Sequence, residues 1–274
     1  MLNGIKMGCR GWSWSVSVLV RSPLYVLVVA ALFAVWGWAA YDWLWLPESS
    51  ALVLLLGFVW LLLLAAVAVA ILAFTTAGAS AAASGVEQPL CLRTSLRFGW
   101  GRFAMALALA ALAFLLGVAG YFCFGWLNDH ALNVASFLTF HLRKPVSYVL
   151  IGRIFWTLEA LFWIAIGGYL LRWLVVIWNT GWNRKKQRGR ESLARPMRTA
   201  TFLTGLLGAG VFGGLAWLIA TWHPLVKPGF WDYMQLAVRA GVVLLLVSSA
   251  WLFCMLSLAR LNLQSLGENP KATS

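Results

Sequence analysis

Six apolar stretches, each long enough for a helix to cross a lipid bilayer, constrain this 274-residue chain more than any other feature. They run over about 24–46, 51–74, 103–127, 149–178, 199–221 and 238–261. A hydrocarbon core about 30 Å thick takes roughly 20 residues of helix. Unpaired backbone groups cannot be left in hydrocarbon, so each stretch is expected to be helical. A membrane β-barrel would show short alternating strands, and ALVLLLGFVWLLLLAAVAVAILAF does not alternate. The expected fold is therefore all-α: a polytopic membrane helix bundle, one domain spanning 1–274.

Composition enters the argument as a surface problem. The chain is 62% hydrophobic and 11% charged, against about 45–50% and about 25% in ordinary soluble domains. One globule of this size cannot hide so much apolar surface, and lipid must cover it. The 18 tryptophans fit the same environment, because indole rings favour the membrane–water boundary. The first apolar run is too long for a signal-peptide core, and no small-residue cleavage site stands out after it. We read it as a retained transmembrane helix.

Charge sets the orientation. The segment before helix 1 holds Lys6, Arg10 and Arg21. The loop between helices 2 and 3 holds Arg93, Arg97 and Arg102. The loop between helices 4 and 5 holds Arg184, Lys185, Lys186, Arg188, Arg190, Arg195 and Arg198. Six spans put all three on one side, and retention of basic loops in the cytoplasm places both termini there. The net charge of +13 thus follows from topology and does not call for nucleic acid. Cys9, Cys91, Cys123 and Cys254 form no CxxC pair, so neither a disulfide nor a zinc site is expected.

Three times a cationic lead-in precedes a pair of apolar helices: GCRGWSWSVSVLVRSPLYVL, CLRTSLRFGWGRFAMAL and RKKQRGRESLARPMRTATFL. Two explanations fit equally. Each lead-in is a short helix lying on the membrane surface, or basic residues simply precede every outward-going helix. The lead-in and hairpin pattern, as in SLRFGWGRFAMALALAALAFLL, resembles the six-helix bacterial membrane domains of the DUF4013 type and the membrane domain of glycerophosphodiester phosphodiesterases. That resemblance implies an accessory or scaffold role in a bacterial cytoplasmic (inner) membrane. It carries over no catalytic residue.

A few side chains sit badly in lipid. Glu159 lies several residues inside helix 4, where an ionisable group costs roughly 2.5–3.5 kcal/mol on insertion scales and should face protein or water. It is either a proton- or cation-binding carboxylate or a structural partner for Arg239 at the outer end of helix 6. His130 and His141 lie in the outer loop between helices 3 and 4, and His223 follows helix 5. Convergence of the two loops would make a metal or haem site, with Asp129 or Asp232 behind it, but neither HxxxH nor HExxH spacing is present. Within ALNVASFLTFHLRKP, the spacing of Leu132, Ala135, Leu138 and Leu142 predicts an amphipathic helix on the outer surface.

Helix 5 carries Gly205, Gly208, Gly210, Gly213 and Gly214. The Gly210–Gly214 spacing is GxxxG, and Gly205 extends the small face towards close helix packing, within the chain or against another subunit. The basic residues Arg184, Lys185, Lys186, Arg188 and Arg190 are candidates for contact with anionic lipid or an acidic partner.

Three functional readings follow. The first is a non-catalytic scaffold, assembly or accessory subunit of a membrane complex, with membrane lipids and other subunits as partners and no cofactor. The second is a transporter component that uses Glu159 for ion or proton coupling. The third is a haem- or quinone-associated electron-transfer subunit. An enzyme is not expected, since paired carboxylates, a nucleophile with its base, or in-helix histidine pairs are not found.

Overall fold

The computed structural model describes residues 2–46, 50–85, 90–96, 100–180, 197–222 and 229–265. The described residues are helices and their connections: α1 Leu2–Arg21, α2 Pro23–Leu44, α3 Ala51–Ala83, α4 Leu92–Ser95, α5 Trp100–Asp129, α6 Ala131–Leu142, α7 Tyr148–Thr180, α8 Met197–Leu207, a π-helical segment Gly208–Gly213, α9 Gly214–Thr221 and α10 Phe230–Ser265. Six helical spans are long and apolar enough to cross a membrane, with α8, the π segment and α9 together forming the fifth. The protein is an all-α integral membrane bundle, and an even number of crossings brings both termini to one side.

Several boundaries lie beyond the apolar runs. Helix α3 continues to Ala83, and α10 starts at Phe230, eight residues before the run that announces it. At 1.5 Å per residue, 33 to 36 residues make about 50 Å of helix, well over the thickness of hydrocarbon. The hydrogen-bond ladder does not stop at the lipid boundary. Hydropathy marks the greasy part of a helix, and caps mark its ends: Pro23 occupies the first turn of α2, where its missing N–H costs nothing, and Ser50 caps α3 by accepting from Val53 N.

The spans pair as three hairpins: α2 with α3, α5 with α7, and the α8–α9 crossing with α10. Helix α10 is central, touching α1, α2, α3, α7 and its own hairpin partner, while α5 sits on α3 and α7 from the other side. The main core gathers at the arginine-rich end, the one the charge pattern assigns to the inner side. Its members are Tyr25 and Val29 of α2, Val69 to Ala83 of α3, Leu174 to Trp178 of α7, and Leu252 to Ala259 of α10. Towards the outer end Leu52, Leu54, Leu55 and Leu56 of α3, Phe114 and Leu115 of α5, Leu150 and Trp156 of α7, and Leu236 and Val238 of α10 are all exposed, which in a membrane means covered by lipid.

Each hairpin holds its own outer half together. In α2–α3, three indole N–H groups donate to backbone carbonyls of the opposite helix: Trp36 to Leu64 (2.9 Å), Trp43 to Gly57 (2.8 Å) and Trp60 to Ala39 (3.2 Å). An indole donor in lipid needs an acceptor, and a helix carbonyl has a second lone pair to offer. These tryptophans therefore act as stitches between helices. In α5–α7, Gly120 admits the Trp163 ring, whose atoms lie 2.5 Å from where a Cβ would stand, and Phe124 packs edge-on to Phe162 at 5.1 Å.

Helix α6 forms where the leucine spacing predicts it, but its buried face is shifted. Ala131 and Ala135, with Val134 and Leu138, pack on Ile151 and Phe155 of α7, whereas Leu132 and Leu142 stay exposed. It covers the outer end of the second hairpin only. Helix α1 also differs from a short surface lead-in. It is 20 residues long, and Gly8, Gly11, Ser15 and Val18 form a buried face. That face lies against α10, with Gly11 over Leu261.

Candidate functional site

The polar side chains that the fold gathers lie at the inner end and join helices of different hairpins. Tyr25 Oη contacts Ser95 Oγ at 3.0 Å and donates to Phe74 O at 3.3 Å. Ser22 Oγ accepts from Leu90 N at 3.0 Å. Together these pin the α1–α2 junction to α4, which is tucked in so far that Ser95 is fully buried. Gly78 makes this possible, because a Cβ there would strike Tyr25 Oη and Ser95 Oγ.

Further in, Trp251 Nε1 donates to Thr75 Oγ1 (3.1 Å), Ser257 Oγ to Ser15 Oγ (2.9 Å) and Trp12 Nε1 to Thr204 Oγ1 (2.9 Å). The hydroxyls of Thr75, Thr76, Ser15 and Thr204 also return to carbonyls one turn back in their own helices. Burying a hydroxyl without a partner is costly; Thr75, Ser15 and Thr204 are satisfied locally and also join a neighbour, while Thr76 bonds within its own helix. Arg172, 3% exposed, donates to Thr201 Oγ1 at 3.1 Å. Arg260 stands over the Trp14 ring at 5.1 Å and donates to Ala83 O, and Arg102 stands over Trp178 at 5.7 Å. Hydroxyls, indoles, guanidinium groups and backbone carbonyls make this network, and what such a set does chemically is fix helices.

The residues singled out from the sequence are dispersed. Glu159 is half-buried in the outer half of α7, and its carboxylate accepts from Trp163 Nε1, one turn on, at 3.4 Å. The expected pairing with Arg239 is not formed. Arg239 instead donates from Nε to Ile219 O at 3.2 Å and from a terminal nitrogen to Ala220 O. Helix α9 ends at Thr221, which leaves its last carbonyls without amide partners. A cation at that terminus satisfies both the orphan acceptors and the helix dipole. That demand outweighs a carboxylate on a different hairpin.

His130 bonds Trp126 O through Nδ1 (2.8 Å), with its ring centroid 4.4 Å from the Trp126 ring, and His141 lies beside Phe137 at 4.3 Å. They stand at opposite ends of the 12-residue α6, His130 just before its first turn and His141 in its last. Among the described residues no group of His, Cys, Asp or Glu is arranged to hold a metal ion. His223 and the basic loop residues Arg184, Lys185, Lys186, Arg188 and Arg190 lie outside the described residues.

The glycines of the fifth span divide into two sets. Gly205 lies against Ile164 O, 3.3 Å from where its Cβ would stand, and Gly208 is buried against Cys254. These two make the close helix contact within the chain. Gly210 and Gly214, the GxxxG pair, meet nothing within 4 Å, and neither does Gly213. Close packing of this span within the chain thus lies at Gly205 and Gly208. The same stretch, Gly208–Gly213, is π-helical, a geometry often found at functional positions.

Sequence reasoning missed Tyr25, Ser95, Gly78 and Arg172. For Arg172 the signal was present, a cation inside GGYLLRWLVV. The Tyr25–Ser95–Gly78 contact joins positions up to 70 residues apart, and no local pattern announces it.

No family model matches the chain, and no curated protein or solved structure is significantly similar to it.

Proposed function

We propose that this integral membrane protein is a non-catalytic accessory or scaffold subunit of a larger membrane complex. The membrane is the bacterial inner membrane, where the six-helix domains it resembles reside. The observation that carries this reading is the Gly210–Gly214 face. Among the described residues nothing lies within 4 Å of a Cβ at either position, and small residues at that spacing let a second helix approach closely. Exposed apolar side chains along the outer halves of the helices add surface for such a partner. The inner-end network joins helix to helix and supports an architectural role.

The test is purification of the full chain in mild detergent. A stoichiometric membrane-protein partner is expected to accompany it. The Gly210→Leu/Gly214→Leu variant should lose that partner while keeping its own elution profile, because new side chains at both positions enter open space. A full chain that elutes alone, or a variant that keeps the partner, overturns the reading.

Glu159 favours a second reading, ion or proton coupling, because a carboxylate in the outer half of a membrane helix has only a long indole contact here. The two readings diverge on Glu159→Gln, which keeps an acceptor for Trp163. Under the accessory reading the variant assembles with its partner as the wild type does, and its stability changes by less than about 1 kcal/mol, the worth of an ordinary hydrogen bond. In proteoliposomes with a pH-sensitive dye, a wild-type proton flux abolished by Glu159→Gln would establish coupling instead.

A further inference from the structure

On the six-span topology the charge of this protein is entirely one-sided. Sixteen of the 21 Lys and Arg residues fall at the inner end, against three acids, Glu87, Glu191 and Glu268; five cations and five acids fall at the outer end. The whole formal charge of +13 therefore belongs to the inner face.

Two inner-face arginines, Arg21 and Arg93, flank a seam that the fold closes with two hydrogen bonds. Ser22 Oγ holds Leu90 N at 3.0 Å, and Tyr25 Oη holds Ser95 Oγ at 3.0 Å. Ser22, Tyr25, Leu90 and Ser95 are buried in this seam. Immediately beside Ser22 and Tyr25, Arg21 and Leu24 are exposed; in the facing segment Arg93 and Leu96 are exposed. Each side thus presents an arginine and, three residues on, a leucine, with Leu24 65% and Leu96 68% exposed. The residues are far apart in sequence but share one rigid junction at the inner boundary of the first span, which begins at Pro23.

We propose that this junction is a binding site for one anionic phospholipid of the inner leaflet. Arg21 and Arg93 hold the headgroup phosphate, and Leu24 and Leu96 lie along the first part of its acyl chains. Guanidinium groups match phosphate oxygens in charge and geometry. Anionic lipid is the natural counterion for cations at the cytoplasmic surface. The paired leucines select a lipid over free phosphate, because they place apolar surface where a soluble ion has nothing to cover it. Arg102 and Arg260 serve differently, engaged with Trp178 and Trp14.

Native mass spectrometry tests this on full-length protein extracted from nanodiscs of equal phosphatidylglycerol and phosphatidylcholine. The wild type is expected to retain phosphatidylglycerol selectively. Arg21→Gln/Arg93→Gln should retain one lipid fewer, whereas the outer-face control Arg143→Gln/Lys144→Gln should match the wild type. Leu24→Ser/Leu96→Ser should lower retention with both arginines present, and excess inorganic phosphate should leave wild-type retention unchanged. If the arginine double variant does not yield folded protein, Arg93→Gln alone serves, with a partial loss expected. Undiminished phosphatidylglycerol on folded Arg21→Gln/Arg93→Gln, or on Arg93→Gln where that serves, overturns the proposal. Displacement by inorganic phosphate overturns the choice of a lipid.

Discussion

Gly78→Ala is expected to cost this protein about 3 kcal/mol or more and to remove most of the folded material from a size-exclusion profile. The new methyl group would occupy the space of Tyr25 Oη and Ser95 Oγ, both buried and hydrogen-bonded to each other. Overpacking a dense core costs about 1–3 kcal/mol, and each buried hydroxyl driven off its partner adds about 1–3 kcal/mol. Against a total stability of about 5–15 kcal/mol, that is a large fraction. The collision is with a specific oxygen, so Gly78→Ala/Tyr25→Phe should recover part of the loss by removing that oxygen. Thermal melting of both variants in the same detergent checks the claim. A Gly78→Ala protein that melts like the wild type would mean that α4 does not seat against α3 in this way.

Deleting residues 2–21 should be nearly as damaging. A lead-in that merely lay on the lipid surface would be dispensable, and its removal would change membrane affinity at most. Here the deletion strips α8 and the inner end of α10. Ser257 loses Ser15, Thr204 loses Trp12, and Arg260 loses the ring of Trp14. The two hydrogen bonds are worth about 0.5–1.5 kcal/mol each and the cation–π contact about 0.5–2 kcal/mol. The contact surface between Gly11 and Leu261 is lost as well. The truncated chain should aggregate on extraction, read by fluorescence-detected gel filtration. Trp14→Ala, which removes only the ring under Arg260, should lower the melting temperature without aggregation. A truncated chain that runs as a sharp peak would return α1 to the role of a surface helix.

The six crossings were readable because they rest on a quantity summed over many residues, apolar length. What was not readable depends on single contacts. The full helix over Leu2–Arg21 is hard to see in SWSVSVLV, where serine and valine alternate in a strand-like way. Its packing face at Gly8, Gly11, Ser15 and Val18 has helical spacing but little hydrophobicity. Glu159 and Arg239 looked like partners because opposite charges in lipid attract, yet the carbonyls at the end of α9 reach Arg239 from the adjacent helix. The glycines over 205–214 left packing within the chain and packing against another subunit both open; Gly205 and Gly208 face a neighbour in the chain, and Gly210 and Gly214 meet nothing among the described residues. Periodicity cannot tell which of several glycines is approached.

The wide turn at Gly208–Gly213 has a consequence for evolution of chain length. A π turn fits one more residue into a helix than an α turn does, which is equivalent to an insertion absorbed without breaking the crossing. Removing one residue from this stretch would tighten the π turn to an α turn and leave everything beyond it facing nearly as it does now. Ile219 and Ala220 would stay within reach of Arg239. A deletion in the regular helix on either side would instead rotate the outer tip of the fifth crossing by about 100° and offer Arg239 a different pair of carbonyls.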